Sequence, residues 1–110
     1  MARIAVLDYG IGNLRSAEKA LQHVGGDAAL TSDVQEIQNA AAVVLPGVGH
    51  FGTCMKALRS SGLEGPAWGA ITAGKPFMGI CIGMQMLYEG SDEEAITSGM
   101  GVLPGKVRLL

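Results

Sequence analysis

The sequence predicts an open, mainly parallel β-sheet with helices on both faces, an α/β fold. Two observations carry that expectation. Short apolar β-prone runs alternate with segments of helical periodicity, joined by short glycine- and proline-bearing turns. One of the runs, Ala41-Ala42-Val43-Val44-Leu45, is apolar at every position, as a parallel strand covered on both sides requires. The 110 residues suit one small domain, and 48% apolar composition predicts a packed core rather than disorder.

Residues 3–8, Arg3-Ile4-Ala5-Val6-Leu7-Asp8, form the first expected strand, ending in the glycine-bearing turn Tyr9-Gly10-Ile11-Gly12-Asn13. A helix is expected over 14–24, where Leu14, Ala17, Leu21 and Val24 recur at steps of three and four, and Gly25-Gly26 stops it. Residues 28–31 make a second short strand. Ser32-Asp33-Val34-Gln35 fits a capping box in which Ser32 and Gln35 satisfy backbone donors of a short, weak helix. The all-apolar run at 41–45 should be the central strand, stopped by Pro46.

Beyond the loop Pro46-Gly47-Val48-Gly49-His50-Phe51-Gly52, helical stretches are expected with Met55, Leu58 and Leu63 inward, then over 65–73 around Trp68 and Ile71. Lys75-Pro76-Phe77-Met78-Gly79-Ile80 is the next strand, and it runs through Cys81 into a helix over 84–88. Past that point the pattern thins. Residues 89–94 read as a polar turn with Asp92-Glu93-Glu94 solvated, and Gly99-Met100-Gly101 reads as a flexible connector. Lys106-Val107-Arg108-Leu109-Leu110 opens a further strand that stops mid-element, so residues 1–110 are expected to be the N-terminal part of a single, truncated domain. The methionines Met78, Met84 and Met86 read as core filler.

Composition excludes several function classes. Eight Lys and Arg against ten Asp and Glu give a net charge of −2, and the basic residues are scattered, leaving no electrostatic footprint for nucleic acid. No apolar run approaches the ~20 residues of a membrane span, and the N-terminus lacks a signal-peptide layout, so a cytoplasmic location is expected. Cys54 and Cys81 are the only cysteines, with neither CxxC spacing nor a histidine cluster, which argues against a disulfide framework and against a metal site. Gly10-Ile11-Gly12 lacks the third glycine of a dinucleotide fingerprint, and Ser16 is no ribose-binding acid, so no nucleotide cofactor is expected. Gly47, Gly49 and Gly52 do have that spacing after a strand, but Pro46 and the cysteine-centred turn downstream favour a different use of this loop.

That turn is Gly79-Ile80-Cys81-Ile82-Gly83-Met84-Gln85, a cysteine with glycine two residues away on each side, between a strand and a helix. It has the form of a nucleophile elbow, in which small flanking residues let the backbone pack tightly while the central side chain stands clear of the sheet edge. A thiol at the start of a helix meets unpaired N–H groups and the positive end of the helix dipole, both of which favour the thiolate. In such an elbow one oxyanion donor is the N–H of the following residue, here Ile82, and the other comes from a second strand-to-helix loop, for which Pro46-Gly47-Val48-Gly49 is the candidate. Gln85, four residues past Cys81, falls one helical turn on, where it could hold a polar substrate beside the sulfur. Cys54 reads as structural.

Cys81-Ile82-Gly83-Met84-Gln85 resembles the C-x-G-x-Q signature of the class I (triad) glutamine amidotransferases, and Pro46-Gly47-Val48-Gly49 resembles their oxyanion strand. With Asp8-Tyr9-Gly10-Ile11-Gly12-Asn13-Leu14 and Glu89-Gly90-Ser91, the resemblance spans nearly the whole chain and is greatest to the glutaminase subunits of imidazole glycerol phosphate synthase. It implies a flavodoxin-like three-layer fold and a glutaminase. Cys81 would attack the glutamine side-chain amide, with Val48, Gly49 and Ile82 supplying the oxyanion hole from the backbone and Gly49 and Gln85 contacting the substrate. Ammonia would pass to a cyclase partner subunit with a (β/α)8 barrel in a heterodimer serving histidine biosynthesis. The loop around Val48 would need to flip so that its N–H faces the oxyanion, and the turn at Tyr9 would face the barrel.

One departure stands out. The family completes its triad with a His and a Glu two residues apart in a later part of a longer chain, and neither is here. His23 and His50 are the only histidines; His23 falls near a helix end and His50 in a loop where the family places no base. Without a base this chain should be a poor glutaminase. The alternatives are a glutaminase serving anthranilate, pyridoxal phosphate or guanylate synthesis, or a non-catalytic α/β binding or scaffold module.

Overall fold

A computed structural model describes residues 3–12, 14–92 and 94–108, of residues 94–96 the backbone alone. Strand β1 (Arg3–Leu7) leads to helix α1 (Arg15–His23), β2 (Asp27–Thr31), α2 (Val34–Asn39), β3 (Ala42–Gly47), α3 (Phe51–Ser60), α4 (Glu64–Thr72), β4 (Phe77–Cys81) and the single turn α5 (Ile82–Gln85). Three short strands follow, β5 (Gly90–Ser91), β6 (Glu94–Ser98) and β7 (Lys106–Val107). The first four strands form one parallel sheet in the order β2-β1-β3-β4. Asn13, Glu93, Leu109 and Leu110, each part of an expected turn or strand, lie outside the described residues.

The period of two along a strand sorts the core into two layers. Ala5 and Leu7 of β1 with Val43 and Leu45 of β3 face one side, where Ile37 of α2, Cys54, Met55 and Leu58 of α3, and Ala67 and Ala70 of α4 cover them. Val6, Val44 and Ala28 face the other, covered by Ala17 and Leu21 of α1. The expected central strand is therefore central, and Met55, Leu58 and Leu63 are fully buried. In α4 the small residues Ala67 and Ala70 go innermost, while Trp68 and Ile71 pack half-buried at the margin.

The α1 side is thinly covered. Val24, expected on the inward stripe, is 78% exposed, and Met78 and Met84, expected as core, are also exposed; of the three methionines only Met86 is buried. Helix α1 is held to the edge strand β2 by polar contacts. The Leu30 N–H donates to the Glu18 carboxylate at 2.7 Å, and the Gln22 amide donates to the Ala28 carbonyl at 2.8 Å, satisfying edge groups that a further strand would otherwise take.

Several local expectations are corrected. Asp33, not Ser32, caps α2, its carboxylate accepting from the N–H groups of Gln35 and Glu36 at 2.8 and 3.4 Å. Pro46 does not stop β3, which runs on to Gly47 with Pro46 opposite Ile80. Pairing with β1 ends at Val44, so the N–H that proline lacks is not needed on that side. The helix after the elbow ends at Gln85 instead of reaching Tyr88. Residues 90–91 belong to the small sheet β6-β5-β7, and the segment expected as a flexible connector is tied down by backbone bonds. Gly99 N–H donates to Glu89 and Met100 N–H to Met86, both at 2.8 Å, while the Met100 side chain is buried. A Cβ at Gly99 would fall 2.1 Å from the Tyr88 carbonyl oxygen, so this segment is built around a close backbone approach.

Candidate active site

Strands β3 and β4 bring the two glycine-bearing loops together. Gly47 lies opposite Cys81 in the parallel ladder, so the end of β3 and the elbow are neighbours at one sheet edge. Cys81 has φ 56° and ψ −121°, the one positive φ at a non-glycine residue among the described residues. Such a backbone costs on the order of 1–3 kcal/mol and persists where its surroundings over-determine it. They do so here. A Cβ on Gly83 would lie 1.8 Å from the Leu45 carbonyl oxygen, and one on Gly79 would lie 2.7 Å from the Met84 Cα. Glycine at both flanks is thus a packing requirement, as the sequence pattern predicted, and the strained turn leaves the Cys81 side chain exposed as a free thiol.

Gly47 is constrained from the opposite side. A Cβ there would meet the Gly83 nitrogen at 2.7 Å and both the Ile82 Cβ and the Tyr9 hydroxyl at 3.1 Å. The loop after β3 therefore rests directly on the first turn of α5, whose N–H groups at Ile82 and Gly83 have no acceptor within the helix. With one turn, α5 has little macrodipole, so what it offers the sulfur is these individual donors. Gly49 has φ +88°, the left-handed region that glycine enters freely, and both Val48 and Gly49 are exposed.

Pro46, Gly47, Val48, Ile80 and Cys81 line one wall of a cavity of about 500 Å³, and α1 residues including Ala17, Leu21 and Val24 form the other. The structure thus places Cys81 and Val48 in one concavity. Gln85 is half-buried at the end of α5, and neither it nor Gly49 lines this cavity. Both histidines are elsewhere: His23 is exposed in the last turn of α1, and His50 is exposed at the start of α3 with no side-chain bond to the helix. Among the described residues the cavity has no carboxylate or imidazole in its lining, and no three His, Cys, Asp or Glu side chains gather as a metal site would need.

Two residues beneath the loop make contacts with it that the sequence reading, which put Tyr9 in a barrel-facing turn and read Cys54 as structural, did not anticipate. Tyr9, just past β1, is buried and its hydroxyl donates to the Pro46 carbonyl, with the Met86 sulfur 3.7 Å away. Cys54, fully buried in α3, donates its thiol to the Val48 carbonyl at 3.1 Å. Burial, with the Cys54 thiol alongside, pushes the Tyr9 phenol well above its ordinary range, so it remains a donor at neutral pH. The available signal was Tyr9's position at the same carboxyl-end sheet edge as the elbow, but sequence gives no distance between a β1 turn and a β3 loop.

The profile of the family described as glutamine amidotransferase class-I matches residues 5–108. The chain is 47% identical over 107 residues to the imidazole glycerol phosphate synthase subunit HisH of Geobacter metallireducens, covering 97% of this chain and 51% of that protein. It is 49% identical over 104 residues to the subunit of the same name from Caldanaerobacter subterraneus subsp. tengcongensis, covering 94% and 51%. A crystal structure of a glutamine amidotransferase superposes with a TM-score of 0.74 at 25% identity, covering 91% of this chain and 52% of that one. The chain spans about half the length of the curated relatives it matches.

Proposed function

The chain belongs to the class I glutamine amidotransferase family, and from that premise we propose that it is the nucleophile-bearing, N-terminal part of a single glutaminase domain, that of the glutaminase subunit of imidazole glycerol phosphate synthase. The observation that carries this reading is the strained backbone of Cys81, held by Gly79 and Gly83 beside the loop at residues 46–49. A thiol in that setting is built to attack a carbonyl carbon, and the substrate class follows from the family. Relatives named as HisH subunits favour this pathway over anthranilate, pyridoxal phosphate or guanylate synthesis.

In the proposed reaction the Cys81 thiolate adds to the side-chain amide carbon of glutamine, and the negative charge moves to the amide oxygen. Backbone N–H groups of Ile82 and of Val48 or Gly49 receive that oxyanion. Collapse of the tetrahedral species breaks the C–N bond, ammonia leaves with a proton, and a glutamyl thioester remains on Cys81. Water then releases glutamate and returns the thiol. Gly49 and Gln85 hold the substrate. Proton transfer to the leaving amine and from the water needs a base that no residue lining the cavity supplies. The His and Glu of the triad are assigned to a further part of the domain, and the open apolar cavity beside Cys81 is where they would approach. Ammonia is delivered to a cyclase subunit with a (β/α)8 barrel, in a cytoplasmic heterodimer. No helix among the described residues is long and apolar enough to cross a membrane.

Measuring glutamate release from glutamine tests this. The whole protein with its cyclase subunit is expected to release glutamate, and this 110-residue chain alone is expected to release none above buffer. No release from the whole protein with its partner would overturn the reading.

A further inference from the structure

We propose that Tyr9 and Cys54 are positioning residues for the glutaminase reaction, fixing the two peptide groups that flank the Gly47–Val48 peptide so that this one peptide can turn its N–H to the oxyanion while its neighbours stay in place. The proposal rests on the glutaminase reading above and adds to it what aims the loop. Pro46 contributes its carbonyl to the peptide before Gly47, and the Tyr9 hydroxyl holds it. Val48 contributes its carbonyl to the peptide before Gly49, and the Cys54 thiol holds it at 3.1 Å. The peptide between these two is the one whose N–H belongs to Val48.

Rotation of a single peptide plane needs opposed changes of two dihedrals, here ψ of Gly47 and φ of Val48, and leaves the Cα positions nearly fixed. Glycine at 47 widens the ψ range available, and Gly49 already occupies φ +88° on the far side. Both anchors are buried: Tyr9 two residues past the end of the inner strand β1, and Cys54 on the buried face of α3. Tyr9 also makes contact with the elbow's own support, since its hydroxyl bounds the space at Gly47 and the Met86 sulfur lies beside it. With the bracket in place a turn of the Gly47–Val48 peptide is local. Without it the three peptide planes move together and the N–H loses its aim, while the Gln85 side of the substrate site is untouched. The expected signature is therefore a loss that falls mainly on kcat, with the smaller change in KM that a shift at Gly49 allows.

The test uses the whole protein assembled with its cyclase subunit, with kcat and KM for glutamine measured for wild type, Tyr9→Phe, Cys54→Ala and Cys54→Ser. Tyr9→Phe and Cys54→Ala each delete one heavy atom and keep the remaining side chain, so both variants are expected to fold. Each should lower kcat by about tenfold, less than the roughly 100- to 1000-fold expected when an oxyanion donor is lost outright. Cys54→Ser retains a donor and should restore most of that loss, which a purely packing role would not predict. Synthesis from free ammonia should be unchanged in all three. Wild-type kcat in both deletion variants, or Cys54→Ser no better than Cys54→Ala, overturns the bracket while leaving the glutaminase reading intact. A wild-type complex that releases no glutamate brings down both.

Discussion

Cys81→Ser, in the whole protein paired with its cyclase subunit, is expected to lower glutamine-dependent synthesis on the order of 10⁴-fold or more while leaving synthesis from free ammonia at the wild-type level. The size of the loss follows from removing the nucleophile of a covalent mechanism, for which hydroxyl and thiol are not equivalent when the site is organised around a thiol. The selectivity follows from the structure. Cys81 lies at the exposed tip of the elbow, and serine fits the same tight turn between Gly79 and Gly83, so neither the sheet nor a partner surface should change. Steady-state rates with glutamine and with ammonium salts, measured side by side, check it. Loss of both activities would assign Cys81 a structural role instead.

Gly83→Ala is expected to have the largest effect on stability. The added Cβ would lie 1.8 Å from the Leu45 carbonyl oxygen and 2.8 Å from its carbon, both in β3 at the centre of the sheet. No flexible side chain can move aside, so either β3 or the elbow must shift. A cost above about 4 kcal/mol is expected from overpacking of this kind, which lowers the melting temperature of a domain of ordinary size by roughly 10 °C or more. Gly69→Ala supplies the control. Gly69 is exposed within α4, nothing lies within 4 Å of its would-be Cβ, and alanine there should stabilise by about 0.5–1 kcal/mol. Equal melting temperatures for Gly83→Ala and wild type would contradict the packing argument for the elbow.

The parts of this fold that were legible in the sequence are those set by local pattern. The all-apolar run ending at Leu45 became one of the two inner strands because burial on both faces leaves no polar position. The glycine spacing around Cys81 foretold the elbow because the close approach of two backbones excludes every larger residue. Less legible was anything decided by competition between neighbours. Asp33 displaced Ser32 as the cap because Thr31, whose hydroxyl accepts from the Asp33 N–H at 3.0 Å, already orders the turn one residue later than the motif suggests. The helix beyond the elbow ended early because residues 86–88 bond to the segment at 100–103. Val24, Met78 and Met84 have the composition of core residues, and their exposure depends on what covers the α1 side, which periodicity does not report. The anchoring of the 46–49 loop by Tyr9 and Cys54 joins residues 37 and six positions apart, contacts set by the fold and by no local pattern.

Whether Cys81 is a glutamine-directed nucleophile is decided by covalent labelling of the whole protein, with its cyclase subunit present, by an electrophilic glutamine analogue, followed by mass mapping of the modified peptide. One adduct per chain is expected, on Cys81, blocked by excess glutamine, with buried Cys54 unmodified. An unlabelled Cys81 under those conditions, or labelling that glutamine does not protect, would contradict that role.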